Sequence, residues 1–205
     1  MSQSAMSESA AQPIIEKKSI EKEPLPGDLA IWFVIMAEML VFGVFFIVYV
    51  VVRSNNVELF NEYQLELHRI GGVINTIVLI TSSYFVALGI YEIRKGNIQR
   101  TGNLLLLALL MGAIFVGVKI WEYSFVFGAG IHLSTNTFYT FYISLTFFHF
   151  MHVLLGMVIL TIIYIRLRQD KYSAESHQDI ETGASYWHMV DLLWIVLFPL
   201  VYIIR

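Results

Sequence analysis

The sequence predicts an all-α fold, a polytopic membrane protein whose five transmembrane helices form a bundle. Three observations predict it. Of the 205 residues, 57% are apolar and 14% charged, against about 45–50% apolar in a soluble domain. The mean hydropathy of +0.67 leaves too little polar side chain to coat a soluble globule. The apolar residues gather into windows at 29–52, 70–91, 101–123, 138–165 and 185–204, each near the ~20 residues that a membrane-crossing helix needs. All are too long for strands. Open strands would leave backbone groups unsatisfied in hydrocarbon, and barrel strands would alternate in polarity, which these windows do not.

Residues 1–27 mix Lys17, Lys18 and Lys22 with Glu16, Glu21 and Glu23 between Pro13, Pro24 and Pro26. They read as a flexible cytoplasmic tail with no apolar run long enough for a signal peptide. Residues 28–205 read as one membrane domain. Asp28 follows Gly27 and precedes the first apolar window, so its carboxylate is placed to cap the first helix. Between the first two windows, Leu59, Phe60, Tyr63 and Leu67 recur at helical spacing among Glu58, Glu62 and Glu66. That pattern fits a short helix lying at the interface, and equally a solvated extension of the second span. Residues 173–183 are polar and predict an aqueous loop.

Five spans put the tail and the second and fourth loops on one side. That side holds Lys17, Lys18, Lys22, Arg94, Lys95, Arg100, Arg166, Arg168 and Lys171, whereas the other holds Arg53, Arg69 and Arg205. The positive-inside rule therefore predicts a cytoplasmic N-terminus and an external C-terminus.

Several function classes are excluded early. The net charge is −3 and no basic stripe exists, so nucleic acid is not an expected partner. There is no cysteine, which removes disulfides, iron–sulfur clusters and thiol catalysis. Glycine-rich phosphate loops, a His-Glu-x-x-His zinc helix and a Gly-x-Ser-x-Gly elbow are all missing, so no catalysis is expected from this chain alone.

Ionisable groups within spans cost several kcal/mol unless paired, and each is a candidate site. Glu38 lies near the middle of the first span; a protonated carboxyl there can donate a hydrogen bond to another helix or to another subunit, or take part in proton movement. His149 and His152 are one helical step apart near the middle of the fourth span, on one face. Hydrogen-bonded packing, a proton-linked role and ligation of one side of a haem are all open to them, since neutral histidine carries a donor and an acceptor. His188 is the only other intramembrane histidine, and it lies ~10 Å or more nearer the cytoplasmic face. His188 and Asp191 form a second one-step pair, flanked by Trp187 and Trp194, suited to a local hydrogen bond or ion pair. Lys119 and Glu122 end the third span, where the pair can partly neutralise itself and the lysine stem can snorkel to the interface. Ala113 with Gly117, and Ser83 with Ala87, are small-xxx-small steps that permit close helix approach.

These polar residues fall into strings that resemble subunit III of haem-copper oxidases. The most specific is Tyr186-Trp187-His188-Met189-Val190-Asp191-Leu192-Leu193-Trp194, similar to that family's last-helix Tyr-Trp-His-Phe-Val-Asp-x-x-Trp. Phe148-His149-Phe150-Met151-His152-Val153 followed by Gly156 resembles its paired-histidine helix. Phe115, Gly117, Glu122 and Tyr123, Asn75-Thr76 with Ser82-Ser83, and Glu38 with Phe42, Phe45 and Phe46 match further patterns in the same order. The resemblance spans residues 28–205. It departs from the long form by lacking two initial helices, and with them the lipid-filled cleft they help to form. Lys119 replaces a frequent glutamine, and with Pro26-Gly27-Asp28-Leu29-Ala30-Ile31-Trp32 it leans towards the branch associated with nitric oxide reductase.

The resemblance implies a subunit without redox centres or cofactors of its own, with bound phospholipid as an option. It would pack against a catalytic subunit I-like protein that holds the haems and copper, alongside other oxidase subunits and membrane lipids in a bacterial-type inner membrane. Its implied role is to support assembly, to sustain proton uptake and to prevent turnover inactivation of its neighbour. Two rival readings remain: a haem b carrier using His188 with His149 or His152, and a small proton-coupled transporter using Glu38, Lys119 and Asp191. The lack of an inverted repeat or broken helices counts against the transporter.

Overall fold

The computed structural model describes residues 28–173 and 176–204; the tail expected over residues 1–27 lies outside the described residues. Six α-helices follow one another: α1 (Leu29–Ser54), α2 (Val57–Leu65), α3 (Arg69–Arg94), α4 (Ile98–Gly128), α5 (Thr137–Arg168) and α6 (Gln178–Phe198), with a π-helical turn over Pro199–Ile203 closing the chain. Five of them, α1, α3, α4, α5 and α6 with its π turn, are long and apolar enough to span a bilayer. Among the described residues there is no strand.

The caps follow from local chemistry. Asp28 Oδ1 accepts the backbone N–H of Ala30, the cap expected from sequence, and the Asp28 N–H donates 2.9 Å to Thr182 Oγ1, tying the start of α1 to α6. Asn136 Oδ1 accepts the Tyr139 N–H at 2.9 Å and starts α5. The α3–α4 turn closes on Gly96, whose φ of +79° is the left-handed conformation a helix C-terminus favours. Its neighbour Asn97 returns an N–H to the Glu92 carbonyl at 3.0 Å.

The helix ends run past the apolar windows. α4 continues to Gly128, so Lys119 sits more than two turns from its end instead of beside it. α6 begins at Gln178, so half of the expected aqueous loop is helical. Asp179 and Glu181 occupy its positively polarised first turn, and each finds a cation: Asp179 meets Arg166 at 3.1 Å and Glu181 meets Arg94 at 2.8 Å. Residues 57–65 resolve the open alternative as a separate helix, with Phe60 buried between Tyr49 of α1 and Phe138 of α5.

α6 is the centre of the bundle. It packs on α1, α3 and α5, and 61% of its most apolar window is buried, against 11% for α1. α1 touches the rest mainly through Ile35, Phe42 and Tyr49, one narrow seam at seven-residue spacing. α3 and α4 form the most extensive pair, with Ser82 Oγ donating 2.9 Å to the Ala108 carbonyl and Thr101 Oγ1 to that of Gly89. Close approach is set by glycines other than those in the small-residue steps. A Cβ on Gly156 would stand 2.8 Å from Trp187 Cε3, and one on Gly112 would stand 3.1 Å from Trp187 Cη2, whereas one on Gly117 would meet nothing within 4 Å. Gly117 thus lies on an exposed face of α4.

Candidate functional site: polar groups buried in the bundle

Three polar groupings occur inside the spans. The first joins α1 to α5. His152 Nδ1 lies 2.8 Å from the Phe148 carbonyl and so carries the hydrogen donated there. This leaves Nε2 facing Glu38 Oε2 at 3.1 Å, a contact that is attractive only with a proton between acid and imidazole. The Glu38 side chain is 29% exposed, so the pair opens onto the outer wall of the bundle. Phe42 and Phe148 pack their rings against His152 with centroids 5.4 and 4.7 Å away.

The second joins α3 to α6. His188 Nδ1 lies 2.5 Å from Ser83 Oγ, while Asp191 is also within reach of Ser83. His188 thus turns to a serine on another helix instead of to Asp191 one helical step away. One helical turn further along α6, Trp194 Nε1 donates 3.0 Å to Thr76 Oγ1.

The third is the largest and lies towards the α2 end of the bundle. Lys119 Nζ sits 3.0 Å from Glu122 Oε2, with side-chain exposures of 0% and 1%. Lysine does not snorkel to the interface here; its ammonium is held inside the protein. Tyr142 of α5 and Tyr202 of the π turn each donate 2.7 Å to Glu122 Oε1, and Lys119 donates 2.8 Å to the Tyr202 hydroxyl. The rings of Tyr123, Tyr142, Trp194 and Tyr202 surround the ammonium at 5.1–5.5 Å, a cation–π cage that offsets part of the desolvation cost. Tyr123 closes the layer by donating 3.0 Å to Thr146 Oγ1.

Sequence reasoning named Lys119 and Glu122 but missed Tyr142 and Tyr202. The available signal was Pro199. A proline inside a membrane helix removes a backbone N–H and loosens the helical turn; here the helix widens to a π turn from Pro199 to Ile203, and Tyr202 follows the proline by three positions within it.

His149 stands apart. It is fully buried, its ring edge-on to Phe42 and Phe115 and 5.2 Å from Trp194, and neither nitrogen has a hydrogen-bond partner among the described residues. His149 and His152 therefore do not act as a unit. The donor set does not fit a haem: both nitrogens of His152 are engaged, His188 is turned to α3, and His149 is sealed by aromatic rings. Among the described residues no three His, Cys, Asp or Glu side chains converge as a metal-ligand group would.

Comparison with known proteins adds to this geometry. The family model described as cytochrome c oxidase subunit III matches residues 27–205. The chain is 33% identical over 171 residues to cytochrome c oxidase subunit 3 of Thermostichus vulcanus, covering 83% of each chain. It is 28% identical over 176 residues to quinol oxidase subunit 3 of Bacillus subtilis, covering 85% of each. Over 135 residues it is 35% identical to the probable cytochrome c oxidase subunit 3 of Rickettsia conorii, covering 63% of this chain and 46% of that one. These relatives bear the names of oxidase subunits, so the lean of Lys119 and residues 26–32 towards the nitric oxide reductase branch is not favoured.

Proposed function

The chain belongs to the cytochrome c oxidase subunit III family, and from that premise we propose that it serves a respiratory haem-copper oxidase as a membrane-embedded accessory subunit without redox centres. In this reading it packs against the catalytic subunit I-like protein, which holds the haems and copper. It stabilises that neighbour during assembly and sustains its proton uptake through turnover. The N-terminus faces the cytoplasm across a bacterial-type inner membrane.

The observation that carries the reading is the Glu38–His152 pair. A carboxyl at this depth is expensive to expose to lipid, and Glu38 is 29% exposed on the wall of a helix that otherwise buries only a narrow seam. Its remaining lone pairs call for a donor from outside the chain, which a neighbouring transmembrane helix supplies. A self-contained transporter or pigment would instead direct its polar groups inward.

The test is replacement of Glu38 by Gln and of His152 by Asn, followed by purification of the complex from native membrane. The expected result is a complex that loses the subunit in detergent or inactivates sooner during turnover. Unchanged assembly and unchanged turnover lifetime in both variants would remove the assignment. Identification of the largest co-purifying partner and its haems tests the subunit I contact directly.

A further inference from the structure

Beside the Lys119–Glu122 cluster, at the α2 end of the bundle, lies a cavity of about 150 Å³. It is lined by Glu66, Leu67 and His68 of the turn between α2 and α3, by Glu122 and Val126 of α4 and by Tyr139 of α5. The volume is sufficient for about five water molecules at ~30 Å³ each. Its lining is largely apolar but includes two acids: Glu66, whose Oε2 accepts the Tyr139 hydroxyl at 2.7 Å, and Glu122.

We propose that this cavity is a water-filled vestibule through which the buried Lys119–Glu122 pair exchanges protons with the aqueous phase at the α2 end. The bonding of the carboxylate supports this. Oε1 accepts two tyrosine hydroxyls and is filled, whereas Oε2 accepts only Lys119, so one lone pair of Oε2 is left for a cavity water. The exchange balances without any further reactant. A proton passes from Lys119 Nζ to Glu122 Oε2 across the 3.0 Å contact, leaving a neutral amine and a neutral acid. The acid trades its proton with a cavity water, and transfer back restores ammonium and carboxylate.

The groups facing the pair are few. α4 contributes Tyr123, α5 contributes Tyr142 and, further out, Tyr139, the π turn contributes Tyr202, and the turn between α2 and α3 contributes Glu66 and His68. His149 of α5 and Asp191 of α6 lie deeper. α3 has no titratable side chain between Arg69 and Tyr84. No second cation competes with Lys119 for Glu122 within this ring, so the pair, not a wider network, is the end point of the water column.

The chain has no cysteine, which makes the test clean. In the assembled oxidase complex, Val126→Cys lines the cavity one turn from Glu122, and Ile120→Cys, on an exposed apolar face of α4, is the control. Thiols react as thiolates, which form only in contact with water, so Val126→Cys should react with a water-soluble methanethiosulfonate at least about tenfold faster than the control. Labelling is read by mass spectrometry of this subunit. The second reading is infrared: the Glu122 bands, assigned by their loss in Glu122→Gln, should shift promptly on transfer to D₂O and slowly once Val126→Cys has been labelled and the cavity plugged. Equal labelling rates at the two cysteines, or Glu122 bands whose shift is slow before labelling or indifferent to the plug, would overturn the proposal.

Discussion

The Tyr202 hydroxyl donates to Glu122 Oε1 at 2.7 Å while accepting from Lys119 Nζ at 2.8 Å, so one side chain near the end of the chain serves both members of a buried ion pair. The Tyr142 hydroxyl bonds only the carboxylate. Removing a hydrogen bond to a buried charge costs about 1.5–3 kcal/mol. Tyr202→Phe should therefore destabilise the subunit more than Tyr142→Phe. Tyr123→Phe, which breaks a bond between neutral hydroxyls, should cost only about 1 kcal/mol. Thermal unfolding of the detergent-solubilised complex, followed by loss of this subunit, gives the ranking.

The pair itself should behave as a unit. With side-chain exposures of 0% and 1%, removal of one partner leaves an uncompensated charge in the protein interior, at a cost of about 3–5 kcal/mol. Lys119→Met and Glu122→Gln should each impair accumulation of the subunit in the membrane. The double variant, which restores neutrality, should recover much of the loss, because a buried pair replaced by well-packed neutral residues is often tolerated. Additive losses in the double variant would mean that the two charges are independent.

Which parts of this arrangement were legible in the sequence follows from what an apolar run encodes. A window of hydrocarbon-compatible residues reports that a helix crosses, and all five crossings are where the windows lie. It does not report where the helix stops. Asp179 and Glu181 read as loop, yet the dipole at the start of α6 and the cations of Arg166 and Arg94 keep them helical. The same limitation misled on Lys119. Placed near the end of a window it read as an anchor, but α4 runs on for nine residues to Gly128 and the lysine becomes interior. Periodicity showed that His149 and His152 share a face, and so could not show that one meets Glu38 while the other is walled in by rings; that depends on which helix stands opposite each. The resemblance strings marked Glu38, His152 and Asp191 as worth attention, but the partner of each lies on another helix.

The glycines offer a sharp comparison. A Cβ at Gly156 would be driven to 2.8 Å from the Trp187 ring, which is itself buried. Gly156→Ala should cost about 1–3 kcal/mol through overpacking and loosen α5 from α6. Gly117→Ala meets open space and should be neutral or stabilising by about 0.4–1 kcal/mol through the unfolded chain. Retention of the subunit in the purified complex on a temperature ramp distinguishes the two. A damaging Gly117→Ala would show instead that a neighbouring subunit covers that face of α4.

The short helix α2 is held by two contacts of different kinds. Phe60 is fully buried, edge-on to Tyr49 and Phe138, and Gln64 Nε2 donates 2.9 Å to the Val201 carbonyl inside the π turn. A π turn is less regular than an α-helix, and an outside donor to one of its carbonyls helps to hold its shape. Gln64→Leu removes that donor without removing volume, at a cost of about 1–2 kcal/mol. Because Tyr202 lies in the same turn, the effect should reach the ion pair: backbone exchange at residues 201–204 should quicken, and the Glu122 infrared bands should shift. Phe60→Ala should instead cost about 3–5 kcal/mol through lost packing and free α2 as a whole, with proteolytic sensitivity rising across residues 54–68. If Gln64→Leu quickens exchange in α2 but leaves residues 201–204 untouched, the bond anchors the interfacial helix alone and the π turn holds its shape unaided.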